Sequence, residues 1–199
     1  MLSALTFLGP SPDSDPDSEA VDGLGETKLA PYDPKRLFLI GHSCGAHILS
    51  CIFLDSSAIT PSLIPSPALL AATRGIAVTE GIFDIDLLLA SFPSYRSWFI
   101  TNAFGDLDTY GDFSVTKYPL RDGDGHIHWL VVHSPNDTLV DVKQADAMYA
   151  HLTELELYSK HGDTVRKDVS TITSDHNDML QSVQYSDFIG SWINSLHFH

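Results

Sequence analysis

Basic residues are scarce in this chain: 11 Lys and Arg stand against 26 Asp and Glu, a formal net charge of −15. Phosphate backbones and anionic bilayers are held by clustered Lys and Arg, so this balance argues against nucleic acid and membrane surfaces as partners. Acidity by itself names no substrate. Cysteine is scarcer still, with Cys44 and Cys51 the two present. Two turns apart on one expected helix, they are too distant for a disulfide, which favours free thiols and a cytoplasmic setting. The N-terminus has a short apolar run with no basic residues before it. Neither a signal peptide nor a membrane anchor is expected. No internal repeat or coiled-coil pattern runs through the sequence.

What the chain does have is a globular composition, 43% apolar and 10% aromatic over 199 residues, enough for one domain with a sizeable core. Residues 11–26 are rich in Asp, Ser, Pro and Gly, and residues 1–30 are expected to form an acidic, mobile segment ahead of a folded domain over 31–199. The segment Leu37–Ile40 reads as a buried parallel strand, running into Gly41-His42-Ser43-Cys44-Gly45 and then a helical pattern to about Leu54.

Strand, sharp turn and helix form the context that a G-x-S-x-G match requires. A serine hydroxyl is a poor nucleophile at neutral pH, so it has to protrude where a histidine can take its proton, and a tight turn achieves this. Gly41 and Gly45 are expected to leave room for the crowded backbone. The amide N–H of Cys44, at the helix start, would face an oxyanion. A chance G-x-S-x-G is common on pattern alone; the flanking strand and the amphipathic run Ala46–Phe53 argue against chance here. Ser43 is taken as the nucleophile.

Further strands are expected at Gly75–Glu80, His128–His133 and Arg166–Thr173, and helices at Ala68–Thr73, Ile85–Ala90 capped by Asp84, Val142–Leu155 and Met179–Leu196. The last carries Leu180, Val183, Phe188, Ile189 and Trp192 as its apolar face. An aromatic-rich helical stretch over Phe92–Ile100 would lie past the carboxyl ends of the strands, where open α/β sheets bind ligands. Phe83, Tyr95 and Trp98 are the candidate pocket residues. Residues 105–125 read as a polar surface loop with a turn of helix.

Asp137 follows the third strand directly and His176 follows the fourth. Nucleophile, acid and histidine in that order, each at a strand's carboxyl end, is the order of the α/β-hydrolase fold. Asp141 is the alternative acid. His126 and His128 form an H-x-H pair, expected to be ordinary strand or surface histidines because no ligand set of metal spacing completes it. His42, His47 and His133 are assigned packing or hydrogen-bonding roles, and His197 and His199 are expected to fray.

Gly-His-Ser-Cys-Gly-Ala at 41–46, Glu-Gly-Ile-Phe-Asp at 80–84, Phe-Pro-Ser-Tyr-Arg at 92–96, Ala-Phe-Gly at 103–105, Val-His-Ser-x-x-Asp at 132–137 and His-Asn-Asp at 176–178 together resemble kynurenine formamidase of the fungal type. The resemblance covers Lys35 to the C-terminus and places the triad on Ser43, Asp137 and His176. It implies an α/β-hydrolase that cleaves N-formyl-L-kynurenine to L-kynurenine and formate, using neither metal nor organic cofactor, with a homodimer left open. The family's upstream His-Gly-Gly motif, which completes the oxyanion hole, has no counterpart in residues 1–34, so an N-terminally shortened fold with one oxyanion donor fewer is expected. A general carboxylesterase of small acyl esters shares every triad residue, and the missing His-Gly-Gly favours a third reading, an inactive relative that at most binds a ligand or a partner.

Overall fold

The computed structural model describes residues 33–122, 124–157 and 162–196. The acidic segment over 1–30 and the terminal His197 and His199 lie outside these. Four strands, β1 (Leu37–His42), β2 (Thr73–Thr79), β3 (His128–Val132) and β4 (Val165–Asp168), form one sheet in the order β1-β2-β3-β4. Every neighbouring pair is parallel. Helices α1 (Cys44–Phe53), α2 (Pro67–Ala72), α3 (Ile85–Ser91), α4 (Thr101–Phe104) and α5 (Val142–Leu157) occupy the connections, and α6 (Val183–Ser195) follows β4.

Parallel strands covered on both faces are apolar throughout, and the central pair shows it. On one face Ile76 and Val78 of β2 and Trp129 and Val131 of β3 pack with Ala46, Leu49 and Phe53 of α1 and with Ala145, Met148 and Leu152 of α5. On the other face Ala77, Leu130 and Val132 pack with Tyr185, Ile189 and Trp192 of α6. The register that pairs Ile76 with Trp129 and Ala77 with Leu130 keeps the two sets apart. Gly75 lets α6 approach closely: a Cβ there would stand 2.8 Å from the Trp192 ring and 3.1 Å from Phe38. Among the described residues β1 lies at one sheet edge, with Ile40 44% exposed. No described helix is long and apolar enough to cross a membrane.

Three expectations need correction. The closing helix does not begin at Met179. A single 3-10 turn covers Met179–Gln181, and Ser182 then caps α6 by accepting a hydrogen bond from the Tyr185 N–H. That break rotates the face, so Leu180 and Val183 point outward while Met179 and Tyr185 enter the core. The fourth strand stops at Asp168 instead of Thr173, because the Asp168 carboxylate accepts the N–H groups of Ser170 and Thr171 and turns the chain. Residues 105–125 are not a surface loop throughout: Tyr110 and Val115 are fully buried and the Tyr118 hydroxyl donates to the Asp112 carbonyl. The aromatic stretch is helical as expected, with a π-helical turn at Arg96–Ile100 running into α4.

The rotation of α6 has a measurable consequence. Trp192→Ala should cost about 3–5 kcal/mol, the range for removing a buried aromatic, whereas Val183→Ala should stay within about 0.5 kcal/mol. Urea denaturation of the two variants beside the wild type checks the contrast; equal costs would mean that Val183 belongs to the core.

Candidate active site

The site is assembled by hydrogen bonds that carry each strand one residue past its end. The Ser43 N–H donates to the Thr79 carbonyl at 2.9 Å, the Glu80 N–H to Val132 at 2.9 Å and the His133 N–H to Asp168 at 3.0 Å. The residues that leave the sheet are thereby fixed relative to one another at a single edge. Two of them adopt left-handed backbone, Ser43 at φ 55° and Glu80 at φ 47°. For residues with a side chain this conformation is costly, and such strain concentrates at functional sites.

At Ser43 the chain turns from β1 into α1 with ψ −123°, and the serine side chain makes no capping bond to the helix. Gly41 is required sterically: a Cβ there would sit 2.7 Å from the Gly45 carbonyl oxygen and 2.8 Å from the Ala46 Cα. Gly45 is not, since a Cβ at that position meets nothing within 4 Å. Cys44 is the first helical residue, so its N–H has no acceptor within α1 and is free to serve an anion. Its thiol is exposed, whereas burial pushes the Cys51 thiol up to about 12; both are free cysteines.

Asp137 and His176 meet. The His176 Nδ1–H donates to Asp137 Oδ2 at 2.8 Å, and the carboxylate is fully buried. The other Asp137 oxygen accepts the N–H groups of Leu139 and Val140 at 2.8 and 3.0 Å. Burial alone would raise this carboxyl, but the His176 bond and the two amides outweigh it and hold Asp137 below its usual range. Asp141, the alternative acid, instead accepts a hydrogen bond from the Ser91 hydroxyl and pairs with Lys143.

A second carboxylate stands beside the histidine. Glu80 is fully buried, with Oε2 3.2 Å from His176 Nδ1 and 3.9 Å from His42 Nε2. Burial raises the Glu80 carboxyl. Burial also works against the His176 imidazolium, but Asp137 and Glu80 overcome it and leave the ring raised to about 9. The His42 ring lies 4.7 Å from the His176 ring, centroid to centroid, and burial followed by repulsion from His176 lowers His42 to about 4. His42, expected to pack or hydrogen-bond, contacts the Thr79 hydroxyl at 3.1 Å through Nδ1 and also faces Glu80. Sequence reading missed Glu80, whose signal is an acid placed at the end of an otherwise apolar strand.

Gln144 of α5 was likewise missed. Its side-chain oxygen accepts the N–H groups of Phe83 and Asp84 at 2.7 and 2.8 Å, and its amide donates to the Asp84 carbonyl at 2.8 Å. Asp84 caps α3 through the Leu87 N–H, as expected. The three pocket candidates have different surroundings. Phe83 is completely buried in the core and acts in packing. The Tyr95 hydroxyl donates to the Leu139 carbonyl in the loop that carries Asp137, and its ring stacks on Phe92 at 4.9 Å. Trp98, in edge contact with Tyr95, is 62% exposed. His47 bonds the Ile82 carbonyl and His133 the Val140 carbonyl. His126 lies in a 3-10 turn ahead of β3 and bonds the Thr73 carbonyl, so it does not share a strand face with His128.

Two predictions follow from this geometry. Gly41→Ala should destabilise the chain by about 2 kcal/mol or more, since the backbone it strikes cannot give way. Gly45→Ala should be neutral or stabilising by up to about 1 kcal/mol, reflecting helix propensity; chemical denaturation distinguishes them. The raised His176 also links stability to pH. Its native value lies above the ordinary 6.5, so its contribution is complete below pH 6.5 and is lost as the pH rises to about 9. Thermal melting of the wild type should fall across that window, and His176→Gln should flatten the decline; parallel curves would exclude the linkage.

No family profile matches the chain, and no curated protein sequence does either. By structure it is similar to acylaminoacyl peptidase of Pyrococcus horikoshii, with TM-score 0.55 and 16% identity over 84% of this chain and 25% of that one. It is also similar to an acetyl ester-xyloside bifunctional hydrolase from Caldicellulosiruptor lactoaceticus, with TM-score 0.52 and 17% identity over 82% of this chain and 57% of that one. The chain thus spans less than two thirds of either protein's length. With the parallel sheet and helices on both faces, these likenesses show the α/β-hydrolase fold.

Proposed function

We propose that the chain is a serine hydrolase with Ser43 as nucleophile, His176 as general base and acid, and Asp137 as the carboxylate that orients the imidazole. The observation that carries this reading is the 2.8 Å Asp137–His176 hydrogen bond at the same sheet edge as the strained Ser43 turn. With its Nδ1 proton held by Asp137, the neutral ring presents a bare Nε2, the form a base needs.

The substrate we propose is an aryl formamide, N-formyl-L-kynurenine, on the strength of the motif resemblance between Lys35 and the C-terminus. Ser43 Oγ attacks the formyl carbon as His176 takes its proton, and the Cys44 N–H stabilises the resulting oxyanion. Collapse breaks the C–N bond, with the His176 proton passing to the departing aniline nitrogen. Water, deprotonated by His176, then attacks the formyl-serine and releases formate. The exposed Trp98 and its neighbour Tyr95 are proposed to receive the aromatic ring. A carboxylesterase is the second reading, favoured by the likeness to the acetyl ester-xyloside hydrolase.

Purified protein should release formate from N-formyl-L-kynurenine, and Ser43→Ala should lower kcat/KM by at least about 10³-fold. Because the base must be unprotonated, kcat/KM should climb with pH up to about 9. Hydrolysis of an aryl ester without formate release would establish the esterase instead. Loss of both activities in a folded sample would make the chain an inactive relative.

A further inference from the structure

His42, Glu80 and His176 place three donor atoms within 4.8 Å of one another, and they are the one group of metal-binding type among the described residues. We propose that this triangle is a binding site for a zinc-class divalent cation, and that occupancy shuts the hydrolytic site off reversibly. The binding half stands on geometry alone; the inhibition half rests on the reading of His176 as the base for Ser43.

The local hydrogen bonds leave ligand atoms of the triangle under-used. The Thr79 hydroxyl lies 3.1 Å from His42 Nδ1 and 3.3 Å from the Gly41 carbonyl oxygen. With Nδ1 engaged there, Nε2 is the His42 atom that faces Glu80 Oε2, 3.9 Å away. Nε2 and both Glu80 oxygens are buried and short of well-aligned hydrogen bonds, the nearest polar neighbour of Glu80 Oε2 being His176 Nδ1 at 3.2 Å. An imidazole nitrogen and a carboxylate oxygen thus face each other across a gap in a low-dielectric site, where a cation between them would be coordinated by both.

The donor chemistry fits zinc. Two imidazoles and a carboxylate are zinc-type ligands, with bonds of about 2.0–2.2 Å that put tetrahedral donors roughly 3.3–3.5 Å apart. The His176–Glu80 separation of 3.2 Å matches that spacing, and the His42–Glu80 separation of 3.9 Å needs only a small rotation of the ring. The His42 side chain is 14% exposed, so a solvent ligand would complete the shell.

Inhibition follows from the tautomer. His176 approaches Glu80 through Nδ1, so an ion there displaces the Nδ1 proton to solvent. The neutral ring can then carry its proton only on Nε2, and that nitrogen no longer accepts the Ser43 proton. The ion acts as a competitor for the base, with no part in bond making.

The test uses the full chain and zinc ion alone. Equilibrium dialysis at pH 7.5 should find one tight equivalent on the wild type, weakened at least tenfold in both Glu80→Gln and His42→Gln. Thermal melting without zinc checks that each variant is folded, and if Glu80→Gln fails to fold, His42→Gln decides. Because ten histidines offer weak background sites, the comparison between variants carries the result. Zinc should also slow fluorophosphonate labelling of Ser43 in the wild type but not in folded His42→Gln. Equal zinc affinity in the wild type and the folded variants overturns the site. A lost equivalent with labelling that zinc does not slow overturns the inhibition. A zinc-free chain that never labels counts against the serine-hydrolase reading, while the dialysis result still decides the binding site.

Discussion

The arrangement depends on how the sheet ends. Parallel strands form slanted ladders that could stop at any residue, but here three successive ladders each gain one more bond, from Ser43, Glu80 and His133, beyond the last paired position. Those bonds set the heights of the departing chains to within a hydrogen-bond length. The left-handed turns at Ser43 and Glu80 are tolerable because the sheet holds the amide on one side and packed elements hold the chain on the other. Without that pinning, both residues would relax toward ordinary backbone and their side chains would swing out of the site.

Burial does the rest, through electrostatics. Asp137 and Glu80 are two carboxylates removed from water within reach of one imidazole, and they fare differently. Asp137 has two amides and the Nδ1–H to stabilise its charge, so it stays ionised. Glu80 has no comparable set, and its carboxyl is raised. The pair therefore shares one cationic neighbour unequally, which is why His176 stays protonated to higher pH than an isolated histidine.

Much of this was legible in the sequence because it rests on local pattern. The apolar runs at Leu37–Ile40 and His128–His133 and the residues that follow them announce buried parallel strands with turns at their carboxyl ends, and the order of serine, acid and histidine gives the fold. What escaped is what depends on distant partners. Nothing near Glu80 in sequence says that His176 lies 3.2 Å away. Val183 has the right spacing for a helix face, but the cap at Ser182 resets the phase, and a cap is recognisable only once the start of the helix is known. Gly45 looked as necessary as Gly41 because pattern reports identity and not clearance. Tyr110 is polar enough for a loop, yet its ring is buried and its hydroxyl bonds the Gly105 carbonyl, a pairing that belongs to the folded chain alone.

Gln144 has a wider consequence. A primary amide that accepts from two backbone N–H groups and donates to a backbone carbonyl imitates a segment of neighbouring strand, so the chain at Phe83 and Asp84 is hydrogen-bonded as if the sheet continued. Its backbone is satisfied without a strand, which frees that segment from sheet register. The same side chain belongs to the helix that follows the Asp137 loop, so the segment leaving Glu80 is tied to the element that leaves Asp137.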